Sequence, residues 1–215
     1  MPRVDLHTHS IASPDGGLTL QDYRSMLESG RLDAVAITDH NRIDFALNAR
    51  AEIGNAIIVG EEITAREGEI VGLYLNEPVP AGLSALETAE LIRGQGGLVY
   101  IPHPFETARK GLLKTTLDEI AAYIDIVETH NGRTLQNRGR QAGEWATAHK
   151  LPGASSSDAH GQRGWGNTAS ELEQLPTRET LAALLDGATL NTASTGFVGR
   201  LYPKLNRVRQ WRHHV

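Results

Sequence analysis

Hydrophobic positions along the chain fall into short, nearly continuous runs, and each run ends abruptly in a polar cluster. The first, at Val4, leads into Asp5-Leu6-His7-Thr8-His9-Ser10. Residues 34–37 lead into Thr38-Asp39-His40-Asn41, residues 56–59 into Gly60-Glu61-Glu62-Ile63, and residues 98–101 into Pro102-His103-Pro104. Ile126-Val127 leads into Glu128-Thr129-His130-Asn131-Gly132-Arg133, and the last cluster is Ser155-Ser156-Ser157-Asp158-Ala159-His160-Gly161. A further apolar run, residues 70–75, follows closely on the third and carries Glu69 at its start. Apolar runs without alternation predict buried strands of a parallel sheet covered on both faces. Each polar cluster then lies at the carboxyl end of its strand.

Helical signals separate the runs. Thr19 with Asp22 three residues on predicts a capped helix whose buried stripe is Leu20, Tyr23 and Leu27 and whose stop is Gly30. Residues 44–53 form a second helix, stopped by Gly54. Ser84 with Glu87 caps a helix to Arg93, and Thr116 with Glu119 caps one to Ile124. Residues 135–150 are helical, with Ala142, Trp145 and Ala146 inward and His149 in the last turn, where it favours the helix dipole. Thr177 caps residues 178–186, and residues 189–194 suggest one more strand. The stretch Ser13-Pro14-Asp15-Gly16-Gly17 reads as a turn that Asp15 either shapes or equips for chemistry.

Strand–helix alternation argues for a parallel α/β fold. An open doubly wound sheet gathers its polar residues at one switch point. Here at least six strands contribute, which favours a closed or nearly closed barrel with its active site at the carboxyl face. Nothing suggests a linker or second domain, and the roughly forty residues between Glu62 and His103 leave no room for a large inserted lid.

Composition narrows the chemistry. A chain of 215 residues can bury a full single-domain core. A net charge of −5, from 21 basic and 26 acidic residues, argues against a general nucleic-acid binder, while a nuclease stays open because metal ions can supply positive charge locally. With no cysteine, disulfides and cysteine-type zinc sites are excluded. No apolar run reaches the roughly 18 residues of a membrane span, and the start lacks the apolar segment of a secretion signal, so a cytoplasmic protein with no membrane partner is expected. Six of the nine histidines sit at the ends of apolar runs. His7 and His9, two apart in an extended chain, point to one side and suit a shared metal ion. Residues 200–215 carry five Lys or Arg and no acid, which fits a solvated or packing terminal helix or a polyanion contact.

Taken in order from residue 5 to residue 160, the motifs Asp5-Leu6-His7-Thr8-His9-Ser10, Asp15, Thr38-Asp39-His40-Asn41, Gly60-Glu61-Glu62-Ile63, Pro102-His103-Pro104 and Ser157-Asp158-Ala159-His160 are distinctive. On them the chain resembles the PHP (polymerase and histidinol phosphatase) superfamily of metal-dependent phosphoesterases. The segment around Gly164, Gly166 and Asn167 resembles its stand-alone members. The resemblance implies a single PHP-type domain over residues 1–215, folded as a distorted (β/α)7 barrel with a cluster of two or three divalent ions (Mn, Fe or Zn) at the carboxyl ends of its strands. His7, His9, Glu62 and Asp158 would hold the first ion. Glu62 would bridge to a second, completed by His103, and Asp15, His40 and His160 would hold the third. Where many relatives carry a further histidine ligand, this chain has Glu69, which could ligate through oxygen. His130 is either a ligand or substrate contact or a wall residue.

The expected activity is hydrolysis of a phosphate monoester, on a nucleotide or other small phosphorylated metabolite, by metal-activated hydroxide. Arg133 and Arg163, with Arg42 less well placed, are the expected phosphate contacts, and Asp15, His40 and Arg133 the candidate catalytic groups. The rival readings are a phosphodiesterase or exonuclease on short oligonucleotides, a C–N hydrolase using the same cluster, and a metal-binding module without turnover. The sequence carries no signal of oligomeric state.

Overall fold

The structure, a computed structural model, describes residues 1–134 and 137–213. Seven strands come in chain order: β1 (Arg3–Asp5), β2 (Ala34–Ile37), β3 (Ile57–Thr64), β4 (Glu69–Leu73), β5 (Leu98–Ile101), β6 (Ile126–Asn131) and β7 (Gly153–Ser156). They lie side by side in that order. Just past the ends of β1 and β7 the ring closes: Thr8 and Ala159 form a parallel bridge, and the His9 N–H donates to the Ala159 carbonyl at 2.9 Å. At the opposite end the gap is filled by a hairpin of β8 (Thr168–Glu171) and β9 (Thr189–Thr192), with β8 antiparallel to β1. The Ser155 N–H donates to Ser170 Oγ at 2.9 Å, stitching β7 to β8. The result is a distorted, nearly closed α/β barrel.

The distortion corrects the expectation of an all-parallel sheet. β4 runs antiparallel to both β3 and β5, and β8 and β9 are antiparallel as well. Only residues 65–68 join β3 to β4. A parallel crossover needs a dozen or more residues, so this link can only turn the chain back.

The helices are α1 (Leu20–Glu28), α2 (Asp44–Ile53), α3 (Ala85–Gly94), α4 (Lys114–Ile120), α5 (Asn137–Ala148), α6 (Leu181–Asp186) and α7 (Gly196–His213). Capping boxes at Thr19/Asp22 and Ser84/Glu87 start α1 and α3 as expected. Two starts differ. α4 begins at Lys114 behind Leu113, which offers no side-chain cap, so Thr116 lies inside its first turn. α6 begins at Leu181, because the Thr177 N–H is taken by Thr180 Oγ1 at 2.9 Å and residues 178–180 form a turn. The expected start of α5 at Leu135 and the last two residues of the basic tail lie outside the described residues. Among the described residues no helix is long and apolar enough to cross a membrane.

Two cores follow from strand alternation. Val35, Ile37, Ile57, Val59, Val99 and Val127 pack outward against the helices. Ala34, Ala36, Ile58, Val71, Leu73 and Tyr100 fill the barrel, which Leu181 and Leu185 of α6 plug at one end. With that end filled by carbon, polar side chains have room only at the carboxyl rim.

Candidate metal centre

At that rim the chain brings together side chains up to 153 residues apart: His7, His9, Asp15, Glu62, Glu69, His103, Asp158 and His160 are all buried, and His40 is half-buried. Glu62 sits at the centre. Its Oε2 lies 3.4 Å from His7 Nε2, 3.3 Å from His9 Nε2 and 3.3 Å from His40 Nδ1, while Oε1 lies 3.0 Å from His103 Nε2. His7 Nε2 and His9 Nε2 are 3.1 Å apart, and Asp158 Oδ1 is 3.5 Å from His9 Nε2. Glu69, on the inward face of β4, reaches His103 Nε2 at 3.8 Å and His40 Nδ1 at 3.9 Å. On the outer side Asp15 Oδ1 faces His40 Nε2 and His160 Nε2 at 3.5 Å each.

These spacings fit metal ions. A metal–ligand bond of about 2.1 Å sets neighbouring donor atoms roughly 3.0–3.4 Å apart. Four groupings have donor atoms converging within 4.8 Å: His9 with Asp15, His40 and His160; His7 with His103 and Asp158; His7 and His9 with Glu62; and Glu62 with Glu69 and His103. Asp15 Oδ1 and His103 Nδ1 are buried without an ordinary hydrogen-bond partner. The mixed imidazole–carboxylate donor set suits Mn, Fe or Zn.

The protonation balance points the same way. Burial opposes a charge on His7, yet Glu62, Asp158 and Glu128 beside it hold its pKa well above the usual value. Burial would raise the Asp158 carboxyl, but Arg133 and His7 hold it well below the ordinary carboxylate range. Glu62 is likewise held well down by His7 and His40 against burial. Glu69, pressed by burial and then by Glu62, is pushed up to about 9. A pair of buried carboxylates of which one must stay protonated is what a divalent cation relieves.

A surrounding layer of hydrogen bonds sets the ligand geometry. Glu128 accepts from Tyr100 Oη at 2.9 Å, from the His103 N–H at 2.6 Å and from Asn131 Nδ2 at 2.9 Å, and its Oε1 lies 3.1 Å from His7 Nδ1. A carboxylate on Nδ1 leaves Nε2 as the donor to a metal. Asp5 accepts from the Ser157 N–H at 3.0 Å, and Asp39 accepts from the Ser10 N–H at 2.7 Å, so each strand-end aspartate ties down a neighbouring ligand loop. His103 and Asp158 take positive φ, 29° and 51°, a costly backbone state that the surrounding contacts must hold.

Three expected residues are not brought in. His130 is exposed. A bulge in β6 shifts register between Glu128 and His130, so Asn131 takes the inward position opposite Ser156 and His130 turns out. His130 instead lines the groove beside α5. Arg163 is exposed and does not line the rim cavity. Arg42 is engaged with Asp44 on the surface, with contacts of 2.7 Å. Arg133 is at the site: its Nη1 lies 2.9 Å from Asp158 Oδ1 and 3.3 Å from His160 Nδ1.

The rim cavity, about 500 Å³, has a basic mouth formed by Lys110, Arg133, Arg200, Lys204 and Arg207. Arg109, in the 3-10 turn Thr107–Arg109, ion-pairs Asp158 and Glu106 and donates to Asn131 Oδ1 at 3.0 Å. Glu128, Arg109 and the contacts of α7 with the rim were not anticipated from the sequence, although a terminal helix over residues 200–215 was. Glu128 had a signal, a carboxylate ending a buried strand like Asp5 and Asp39. Arg109 and the rim contacts of α7 had none that spacing reveals.

No family model matches the chain. Over 142 residues it is 38% identical to the uncharacterized protein MJ1587 of Methanocaldococcus jannaschii, spanning 60% of this chain and 81% of that protein. It is 34% identical over 168 residues to MJ0417 of the same organism, spanning 74% of this chain and 65% of that one. Among solved structures, a two-domain protein from Bacteroides vulgatus containing a predicted PHP-like metal-dependent phosphoesterase superposes with TM-score 0.62 at 19% identity, over 96% of this chain and 63% of that chain. An amidohydrolase from Chromobacterium violaceum, with bound sulfate and no metal, superposes with TM-score 0.60 at 20% identity, over 81% of this chain and 92% of that one. The chain thus spans just under two thirds of MJ0417 and of the Bacteroides protein. The distorted barrel is the fold that the chain shares with these two solved structures. The chain belongs to one family with MJ1587.

Proposed function

We propose that the protein is a metal-dependent hydrolase of phosphate monoesters, acting on a nucleotide or another small phosphorylated metabolite. The observation that carries this is the basic mouth over a buried donor cluster. His7, His9, Glu62 and Asp158 would hold one ion, Glu62, Glu69 and His103 a second, and Asp15, His40 and His160, with His9 beside them, a third. Divalent ions held there supply concentrated positive charge and make water nucleophilic near neutral pH.

The chain's own groups do the rest. Arg133, at the cavity edge, offers a planar guanidinium to two phosphate oxygens. Arg109, tied to Asp158, Glu106 and Asn131, positions Asp158 rather than meeting substrate. The buried floor excludes water, which strengthens every charge interaction above it. Lys110, Arg200 and Lys204 raise the local concentration of anions. Where the outer position carries no ion, Asp15 and His40 would be free to exchange a proton with substrate.

A basic mouth favours an anionic ester over a neutral amide, so C–N hydrolysis is the weaker reading. It also suits a short oligonucleotide, which keeps phosphodiester cleavage as the second reading. The protein would be prepared with Mn and assayed on a nitrophenyl phosphate monoester and the matching diester, then again after chelation. Metal-dependent turnover with the monoester ahead is expected, and equal rates with and without metal would end the proposal. Asp158→Ala should lose bound metal and activity together.

A further inference from the structure

The basic tail was expected to be a solvated or packing terminal helix or a polyanion contact; it is a helix packed onto the rim. Asn206 is buried, and its side-chain amide donates to two carbonyls at once: Asp15 O at 3.0 Å and His160 O at 2.8 Å. Those two residues are 145 positions apart in the chain and both face the outer donor grouping. Arg207 Nη2 lies 2.9 Å from Asp15 Oδ2, which leaves Oδ1 aimed at His40 and His160.

The packing is as specific as the bonding. A Cβ on Gly17 would lie 2.7 Å from Asn206 Nδ2 and 2.9 Å from the His160 carbonyl oxygen. A Cβ on Gly161 would lie 2.7 Å from three atoms of the Tyr202 ring. Glycine thus stands beside each of the two ligand positions where α7 comes closest. Ordinary tail packing requires no such match.

We propose that Asn206 and Tyr202 are positioning residues for the ion held by Asp15, His40 and His160, and that filling this outer position and docking α7 are one linked equilibrium. The inference rests on the metal-dependent reading above. Its physical basis is reciprocity: if docked α7 sharpens the outer position, then metal there must hold α7 down by the same factor. The inner positions, built from His7, Glu62 and His103 on barrel strands or just past their ends, have no contact of this kind with α7 among the described residues.

The test titrates Mn into chelator-stripped protein while following backbone hydrogen exchange in α7 and metal content by elemental analysis. As the last ion binds, exchange across α7 should slow about tenfold or more. Asn206→Ala should bind that last ion roughly 10- to 100-fold more weakly and keep the others. If ions bind while α7 exchange is unchanged, or if Asn206→Ala retains every ion at wild-type affinity, the linkage is wrong while the metal reading stands. If the wild type takes up no ion at all, both fall. Should Asn206→Ala fail to fold, the wild-type exchange data decide the matter.

Discussion

Glu61 and Glu62 are neighbours on β3 with the same carboxyl group, and the two faces of the barrel treat them in opposite ways. Glu62 points to the rim, where His7 and His40 outweigh burial and hold it well below the ordinary carboxylate value. Glu61 points outward, on the face of Ile57, Val59 and Ile63. Its Oε2 accepts from the Val79 N–H at 2.8 Å, and its Oε1 is buried without a partner. Burial, eased only by that one N–H, pushes it up to about 7. The same side chain is thus held ionised where imidazoles face it and pushed toward its protonated form where carbon does. Environment assigns the role, and strand alternation assigns the environment.

Replacing the inward member should have the largest effect. Glu62→Ala removes the carboxylate that touches four histidines, and we expect metal binding at the inner positions to disappear by elemental analysis. Turnover should fall by more than the ~10²–10³-fold that loss of one transition-state donor costs. A variant that kept its ions would show that Glu62 is not the hub.

One shell further out, Glu128→Gln keeps the shape but takes the charge from beside His7 Nδ1. A roughly 10- to 100-fold weaker affinity for the inner ions is expected from a metal titration, with the fold intact by circular dichroism.

The outward member should matter only for stability, and only at high pH. Because the folded protein holds the Glu61 proton up to about 7 while an unfolded chain releases it near 4.5, the folded state binds more protons in between, and stability falls as pH rises through that window. Glu61→Gln should therefore match the wild type at pH 4 and exceed it by about 1–3 kcal/mol at pH 8, read as a Tm a few degrees higher. A Tm difference independent of pH would mean that folding leaves the Glu61 pKa at its ordinary value.

His130→Ala should have the smallest effect. The bulge turns this histidine away from the rim, so metal content should be unchanged and turnover should stay within about twofold, the range of surface substitutions. A large loss would restore it to the site and reverse the reading of β6.

The sequence made the carboxyl rim legible because buried strands end where polarity begins. His7, His9, His40, Glu62, His103, Asp158 and His160 each follow an apolar run closely, and the structure gathers all of them. It also made α1 and α3 legible, through side-chain caps that local sequence alone specifies. Features that depend on partners distant in the chain were not legible. The β6 bulge is one inserted position in a run that alternates either way. Arg109 matters only because a turn carries it to Asp158, and Asn206 only because two ligand loops meet over it. The reversal of β4 was readable, since four residues cannot cross a barrel, but strand–helix alternation elsewhere masked it.

The most direct measurement is an anomalous-scattering map from crystals grown with Mn and phosphate. Ions should appear among His7, His9, Glu62 and Asp158, beside His103 and Glu69, and between Asp15, His40 and His160, with phosphate on the side of Arg133. A map with no anomalous density among these residues, in protein whose hydrolysis still proceeds, would contradict the account.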